Sequence, residues 1–192
     1  MGVAVRMPLP RRFTVDEYLT IERKAETKSE FHQGEIFAMA GGMPDHNTIA
    51  PNISSALAPQ LRGRGCRIFN SDQRIEVSGG EAVYYPDVSV ICGEAKFSAR
   101  RRDVIRNPVL VVEVLSRSTA RYDRLVKVPL YQRTSSIEHI LLVAQDRAHA
   151  ELFSRQSGKW KTTIYSGPSA VIDLAHLGCT LPLLDVYANI EI

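Results

Sequence analysis

Cysteine is scarce in this 192-residue chain: Cys66, Cys92 and Cys179 are the only three, and no two of them form a CxxC pair. That excludes the usual zinc-cluster spacing. With no secretory leader read at its start, the odd count fits a reducing cytoplasm. No apolar run is long enough to cross a bilayer, so no membrane partner is expected. The start MGVAVR has Arg6 where a myristoylation signal carries Ser or Thr. There is no internal repeat and no low-complexity segment. Strong charge is missing too. The net charge of +3 permits an anionic partner without demanding one.

What remains is an ordinary globular composition, 44% apolar and 23% charged, long enough for one domain with a real core. Residues 1–12, with Pro8, Pro10, Arg11 and Arg12, read as a loose arm before a single domain over 13–192. Thr14 and Glu17 form a capping box, with Phe13 and Tyr18 at the staple positions, so a helix is predicted from there to about Lys28. SEFHQGEIFAMAGG reads as a hairpin turning at Gln33-Gly34. Asp45 caps a second helix that Pro51 and Pro59 should break or delay. Strands are predicted at about 66–70, 73–77, 84–92, 107–116 and 137–145. A hairpin turning at Gly158 follows, then short strands near 170–174 and 181–185. The run NPVLVVEVLS is apolar enough for cover on both faces. A helix starting at Ser118 or Thr119 follows it, with Pro129 set to kink it or end it early. The mixture favours an α/β (α+β) fold, a mixed central sheet flanked by helices.

Two carboxylates stand out. Asp87 opens the strand that continues as VSVIC, and Glu113 sits inside the most apolar strand, 26 residues later. Desolvating a carboxylate is costly unless it is paired or metal-bound. Asp87 alone reads as a strand-end cap; Glu113 amid valines has no such simple role, and a buried ion pair is its fallback. If the two strands are neighbours, both acids can converge on one cation. Two carboxylates with water and a phosphate oxygen are the ligand set Mg2+ prefers. Asp123, Lys127 and Tyr131 are spaced four apart, hence on one helical face. Lys127 can reach the acids or pair with Asp123; Tyr131 reads as packing. A metal, two acids and a lysine are equipment for phosphodiester hydrolysis. Arg100, Arg101, Arg102 and Arg106 read as a solvated loop, or as phosphate contacts if they lie beside the site.

YYPDVSV, NPVLVVEVLSRST and RYDRLVKVPLY together resemble a large bacterial group of restriction-endonuclease-like proteins, once catalogued as a domain of unknown function, within the PD-(D/E)XK nuclease superfamily. FTVDEYL, EFHQGEI, His46-Asn47 and LPLLDVY extend the likeness over nearly the whole chain. The resemblance implies that Asp87 and Glu113 are the two acidic metal positions. Leu115 stands where the superfamily's E-x-K motif has lysine, and the resemblance implies that Lys127, on the following helix, replaces it. It also raises His46 to a secondary candidate and offers Glu30, or less readily Glu35, as an additional acid. Asp123 completes the secondary set.

The function expected is a Mg2+-dependent endonuclease, with Mn2+ as an alternative ion, hydrolysing DNA phosphodiester bonds in the cytoplasm as a homodimer. The rivals are a catalytically weak nuclease-fold module that binds nucleic acid or a protein, and a phosphoesterase acting on a small nucleotide.

Overall fold

The computed structural model describes residues 11–39 and 41–192. The predicted arm falls mostly on residues 1–10, outside the described residues. Arg12 itself lies against the domain, donating to the Gln33 carbonyl at 2.8 Å. No described helix is long and apolar enough to cross a membrane.

Two large sheets, a small one of two strands and their helices build the fold. Helix α1 (Val15–Glu22) starts at the expected capping box. It ends six residues before Lys28 because the chain must turn to enter β1. Strands β1 (Ser29–His32) and β2 (Glu35–Ala38) form the predicted hairpin. Gln33 and Gly34 both have positive φ, the pattern of the turn that matches strand twist. Helix α2 (Pro44–Leu61) runs unbroken through both prolines, against expectation. Ile49, Ile53, Leu57 and Leu61 bury one stripe, while Pro51 and Pro59 lie on the exposed face. The carbonyls their missing N–H groups leave there can be hydrated.

The chain continues through β3 (Cys66–Asn70), β4 (Arg74–Val77), β5 (Ala82–Tyr84), β6 (Val88–Cys92), β7 (Val104–Ile105) and β8 (Leu110–Leu115). The strand predicted over 84–92 is thus split: Tyr85-Pro86-Asp87 carries the chain from one sheet to the other. The helical segment after β8 is α3 (Ala120–Tyr122), a π turn (Asp123–Lys127) and α4 (Val128–Arg133). Then come β9 (His139–Ala144), β10 (His149–Gln156), β11 (Lys159–Ser166), β12 (Val171–Leu174), β13 (Cys179–Pro182) and α5 (Leu183–Val186). The last predicted strand, 181–185, is therefore half strand and half helix.

The five-stranded sheet has the order β2-β1-β5-β4-β7 and the six-stranded sheet β11-β10-β9-β8-β6-β3. Strand β8 is central, antiparallel to β6 and parallel to β9. Its side chains alternate between two cores. Val112 and Val114 pack with the buried stripe of α2. Val111 and Leu115 pack with Tyr84 of the five-stranded sheet and Val128, Leu130 and Tyr131 of α4. Glu113 lies between Val111 and Leu115, on this second face.

Cys66 and Cys92 are direct partners in the β3–β6 register and form a disulfide. The reading of the odd count as reduced thiols fails for this pair. Thiols 26 residues apart could not be matched without the strand register. Cys179 is free and buried.

Candidate active site

Pro86 ends the crossover between sheets, and Asp87 stands just before β6. The last register pair, Val88↔Val112, places Asp87 across from Glu113. Asp87 Oδ2 accepts the Val114 amide at 2.7 Å, prolonging the ladder with a side chain where the β6 backbone turns away. The strand-end cap foreseen for Asp87 is therefore present. Its other oxygen, Oδ1, lies 3.0 Å from His46 Nε2. That hydrogen bond raises the His46 pKa above its ordinary value, against the opposing effect of burial. Helix α2 supplies His46 from its first turn, so both sheet and helix meet at Asp87.

Lys127 reaches the same place from the π turn. The Val128 amide donates to the Asp123 carbonyl, one residue further back than in an α-helix. Pro129 falls in the first turn of α4, where its missing N–H costs little. The segment therefore neither ends nor turns away at Pro129, and Asp123, Lys127 and Tyr131 are all buried. The Lys127 ammonium lies 3.0 Å from Glu30 Oε1, 3.2 Å from Glu113 Oε1 and 3.5 Å from Asp123 Oδ1. It also sits 5.3 Å above the Tyr84 ring. Burial opposes its charge, but the three carboxylates outweigh that, and its pKa is held well above the ordinary lysine value. The two readings of Lys127, facing the acids or pairing with Asp123, are both realised.

Burial also raises the Glu113 pKa well above the usual carboxylate range. Lys127 opposes the rise, while the charges of Asp123, Asp87 and Glu30 add to it. Asp123 is raised for the same first reason. Tyr131 donates to Glu113 Oε1 at 2.5 Å and is fully buried. The sequence reading gave Tyr131 a packing role only. Its signal was a hydroxyl four residues beyond Lys127 on the same face. Glu30, on β1, also accepts the Tyr85 amide at 3.0 Å. Glu35, across from His32, is exposed.

The four arginines are placed differently. Their loop leaves the far end of β6, about 16 Å of extended chain from Asp87. Arg100 pairs with Asp16 at 2.9 Å, Arg106 with Glu76 at 3.0 Å and Arg101 with Asp103 at 3.4 Å. Arg102 is exposed. Three of the four are thus tied to carboxylates of this chain.

The local charge is unbalanced. Glu30, Asp87, Glu113 and Asp123 face one lysine and one histidine. Both Tyr131 and Lys127 engage Glu113 Oε1, and among the described residues Oε2 accepts no hydrogen bond. Nor are any three His, Cys, Asp or Glu groups among them arranged to hold a metal ion. A hard divalent cation held by two carboxylates, with water and substrate oxygens completing its shell, fits this donor set.

A mixed-sheet fold that gathers acids and a lysine where two strands meet is of the restriction-endonuclease-like class. The chain belongs to the Uma2 family, described as "putative restriction endonuclease", whose model matches residues 15–184. It is 35% identical to the uncharacterised protein sll1609 of Synechocystis sp. (strain ATCC 27184 / PCC 6803 / Kazusa) over 85% of this chain and 93% of that one. A second uncharacterised protein of that organism, slr1290, is 32% identical over 95% of both. In structure the chain is similar to a putative nuclease of DUF820 from Anabaena variabilis ATCC 29413. The TM-score is 0.72 at 19% identity, covering 92% of this chain and 98% of that one.

Proposed function

We propose that this protein is a divalent-metal-dependent endonuclease that hydrolyses DNA phosphodiester bonds. The observation that carries the reading is the Lys127 ammonium held among Glu30, Glu113 and Asp123, with Asp87 across the ladder from Glu113. The family description supports the substrate class.

Asp87 and Glu113 would hold the ion, Mg2+ or Mn2+, which when bound neutralises phosphate charge and acidifies a coordinated water. Both Asp87 oxygens already take hydrogen bonds, yet each keeps a lone pair for a cation. His46 and the Val114 amide fix the direction of that carboxylate. Tyr131 and Lys127 fix Glu113 through Oε1 and leave Oε2 for the metal side. Lys127 is an ammonium throughout, so it donates: it orients the attacking water or holds a phosphate oxygen, and does not accept the water's proton. Dimerisation is the simplest way to cut both strands, one site to each.

The test is cleavage of plasmid and single-stranded DNA with Mg2+, with Mn2+ and with chelator, comparing wild type with Glu113→Gln. Metal-dependent cleavage lost in the variant is expected. Cleavage unaffected by the substitution, or by removing metal, overturns the reading.

A further inference from the structure

An aromatic surface that the chemistry above does not use borders the Lys127 cluster. Glu30 and Phe37 are direct partners in the β1–β2 register, so they share a face of the sheet. Phe37 lies on the edge strand and is 38% exposed. Its ring centroid is 5.8 Å from that of Tyr122, the residue immediately before Asp123. Tyr122 in turn stands edge-on to His32 at 6.2 Å. The Tyr122 hydroxyl itself is buried.

His32 also lines a cavity of about 230 Å³ with Gln33, Leu125, Val126, Pro129 and Arg133 among its walls. Leu125 is left 63% exposed there. Two cations flank the hairpin turn. Arg12 is bound to the Gln33 carbonyl, and Arg133 is paired with the half-buried Glu81. Flat rings, an apolar recess and rim arginines thus sit together one residue from the acidic cluster.

We propose that this surface seats an unstacked nucleobase of a single-stranded or locally opened DNA strand, next to the phosphodiester to be cut. The inference rests on the nuclease reading. Base–aromatic stacking tolerates any base because each presents a π face, and cations beside the rings follow the backbone. A protein partner would gain little from a recess this small. A nucleotide attached to a phosphate at Lys127 would place its base within reach of the Phe37 and Tyr122 rings. The enzyme then prefers single-stranded or distorted DNA to a regular duplex.

The experiment uses a short oligonucleotide carrying 2-aminopurine, whose fluorescence is quenched by stacking, bound to the full chain with Glu113→Gln so that the strand stays intact. Quenching on binding is expected. Phe37→Leu or Tyr122→Leu in that background should weaken binding about tenfold and remove the quenching. Phe37→Tyr, which keeps a ring, should retain it and shows that the change is not one of folding. Binding with quenching untouched by either leucine substitution overturns the subsite alone. A change of oligomeric state in Phe37→Leu without a change in DNA binding also overturns it, and assigns the surface to a second copy of the chain. No binding of any oligonucleotide overturns the subsite and the nuclease reading together.

Discussion

Two buried carboxylate clusters in this protein use the same groups to opposite ends. Glu76 is engaged at both oxygens: Arg106 lies 3.0 Å from Oε1, the Ser98 hydroxyl donates to Oε2 at 2.6 Å, and Arg100 lies 3.8 Å from Oε2. Arg100 also pairs with Asp16 at 2.9 Å, so two negative charges there meet two positive ones. Around Lys127, one ammonium meets three carboxylates at contact distance and a fourth across the ladder. The first cluster is complete and fastens the 93–107 loop to β4. The second keeps excess negative charge in a low-dielectric setting, which is unfavourable unless a cation joins it. A structural ion pair and the proposed reaction site thus differ here by charge balance and by one uncommitted oxygen, and not by residue type or burial.

The largest effect that tests this contrast is on cleavage. Lys127→Met should lower the rate by about 10³-fold or more, counting several kcal/mol of lost charge stabilisation. Glu76→Gln should leave it near wild type. A Lys127→Met enzyme cutting at the wild-type rate would reduce Lys127 to an ion-pair partner. The same pair of variants separates stability. Removing Lys127 strands three buried carboxylates and should cost about 3–5 kcal/mol in urea unfolding. Glu76→Gln leaves arginines that can reach water and should cost about 1–3 kcal/mol.

Metal should act on one cluster only. At a hundredfold excess over its Kd, Mg2+ should stabilise the fold by about 2.7 kcal/mol, an increase in Tm of roughly 5–10 °C for a chain this size. Glu113→Gln should abolish that increase and Glu76→Gln should keep it. Equal responses in both variants would place the ion elsewhere.

The pH dependence follows from Glu113. Burial and its acidic neighbours raise its folded pKa. The stability it contributes is therefore full below the unfolded value and is lost as pH rises through the folded one. Cleavage needs the carboxylate and runs the other way, falling as pH drops through the raised pKa. Saturating Mg2+ favours the charged form, so the acid limb of the rate profile should move to lower pH. A limb that ignores Mg2+ counts against Glu113 as a ligand.

Within the Lys127 cluster the smallest effect belongs to Tyr131→Phe. It removes one hydrogen bond to a charged acceptor and should cost about 1.5–3 kcal/mol of stability. Apparent Mg2+ affinity should weaken because Glu113 is less firmly turned. Unchanged affinity, measured by Mn2+ titration, would return Tyr131 to packing.

The residues legible in the sequence were those whose burial is chemically conspicuous. A carboxylate among valines demands a partner, and the four-residue spacing of Asp123, Lys127 and Tyr131 fixes one face whatever the exact helix type. The hairpin at Gln33-Gly34 and the capping box at Thr14 are local and could be read directly. What escaped depends on distant neighbours. The continuity of α2 rests on burial of its Ile49–Leu61 stripe, which outweighs two prolines on the wet side. The Cys66–Cys92 bond follows from a strand register that no spacing rule contains. The partners of Arg100 and Arg106 lie on α1 and β4, so a run that looked free in sequence is largely paired in the fold. Tyr131 packs as read, but its hydrogen bond to Glu113 could not be read until the acceptor was placed.

The Lys127–Glu30 contact joins residues 97 positions apart. Glu30 arrives on the second element of the chain and Lys127 only after the eighth strand, whereas Asp123 and Glu113 lie only 4 and 14 positions from the lysine, so it is the Glu30 contact that waits for most of the chain. Loop closure over that distance is repaid only once β8 is in place between its neighbours β6 and β9. Until then the cluster lacks its Glu30 member. The complete cluster arises together with the finished fold, so a fragment that ends before Lys127 cannot hold it.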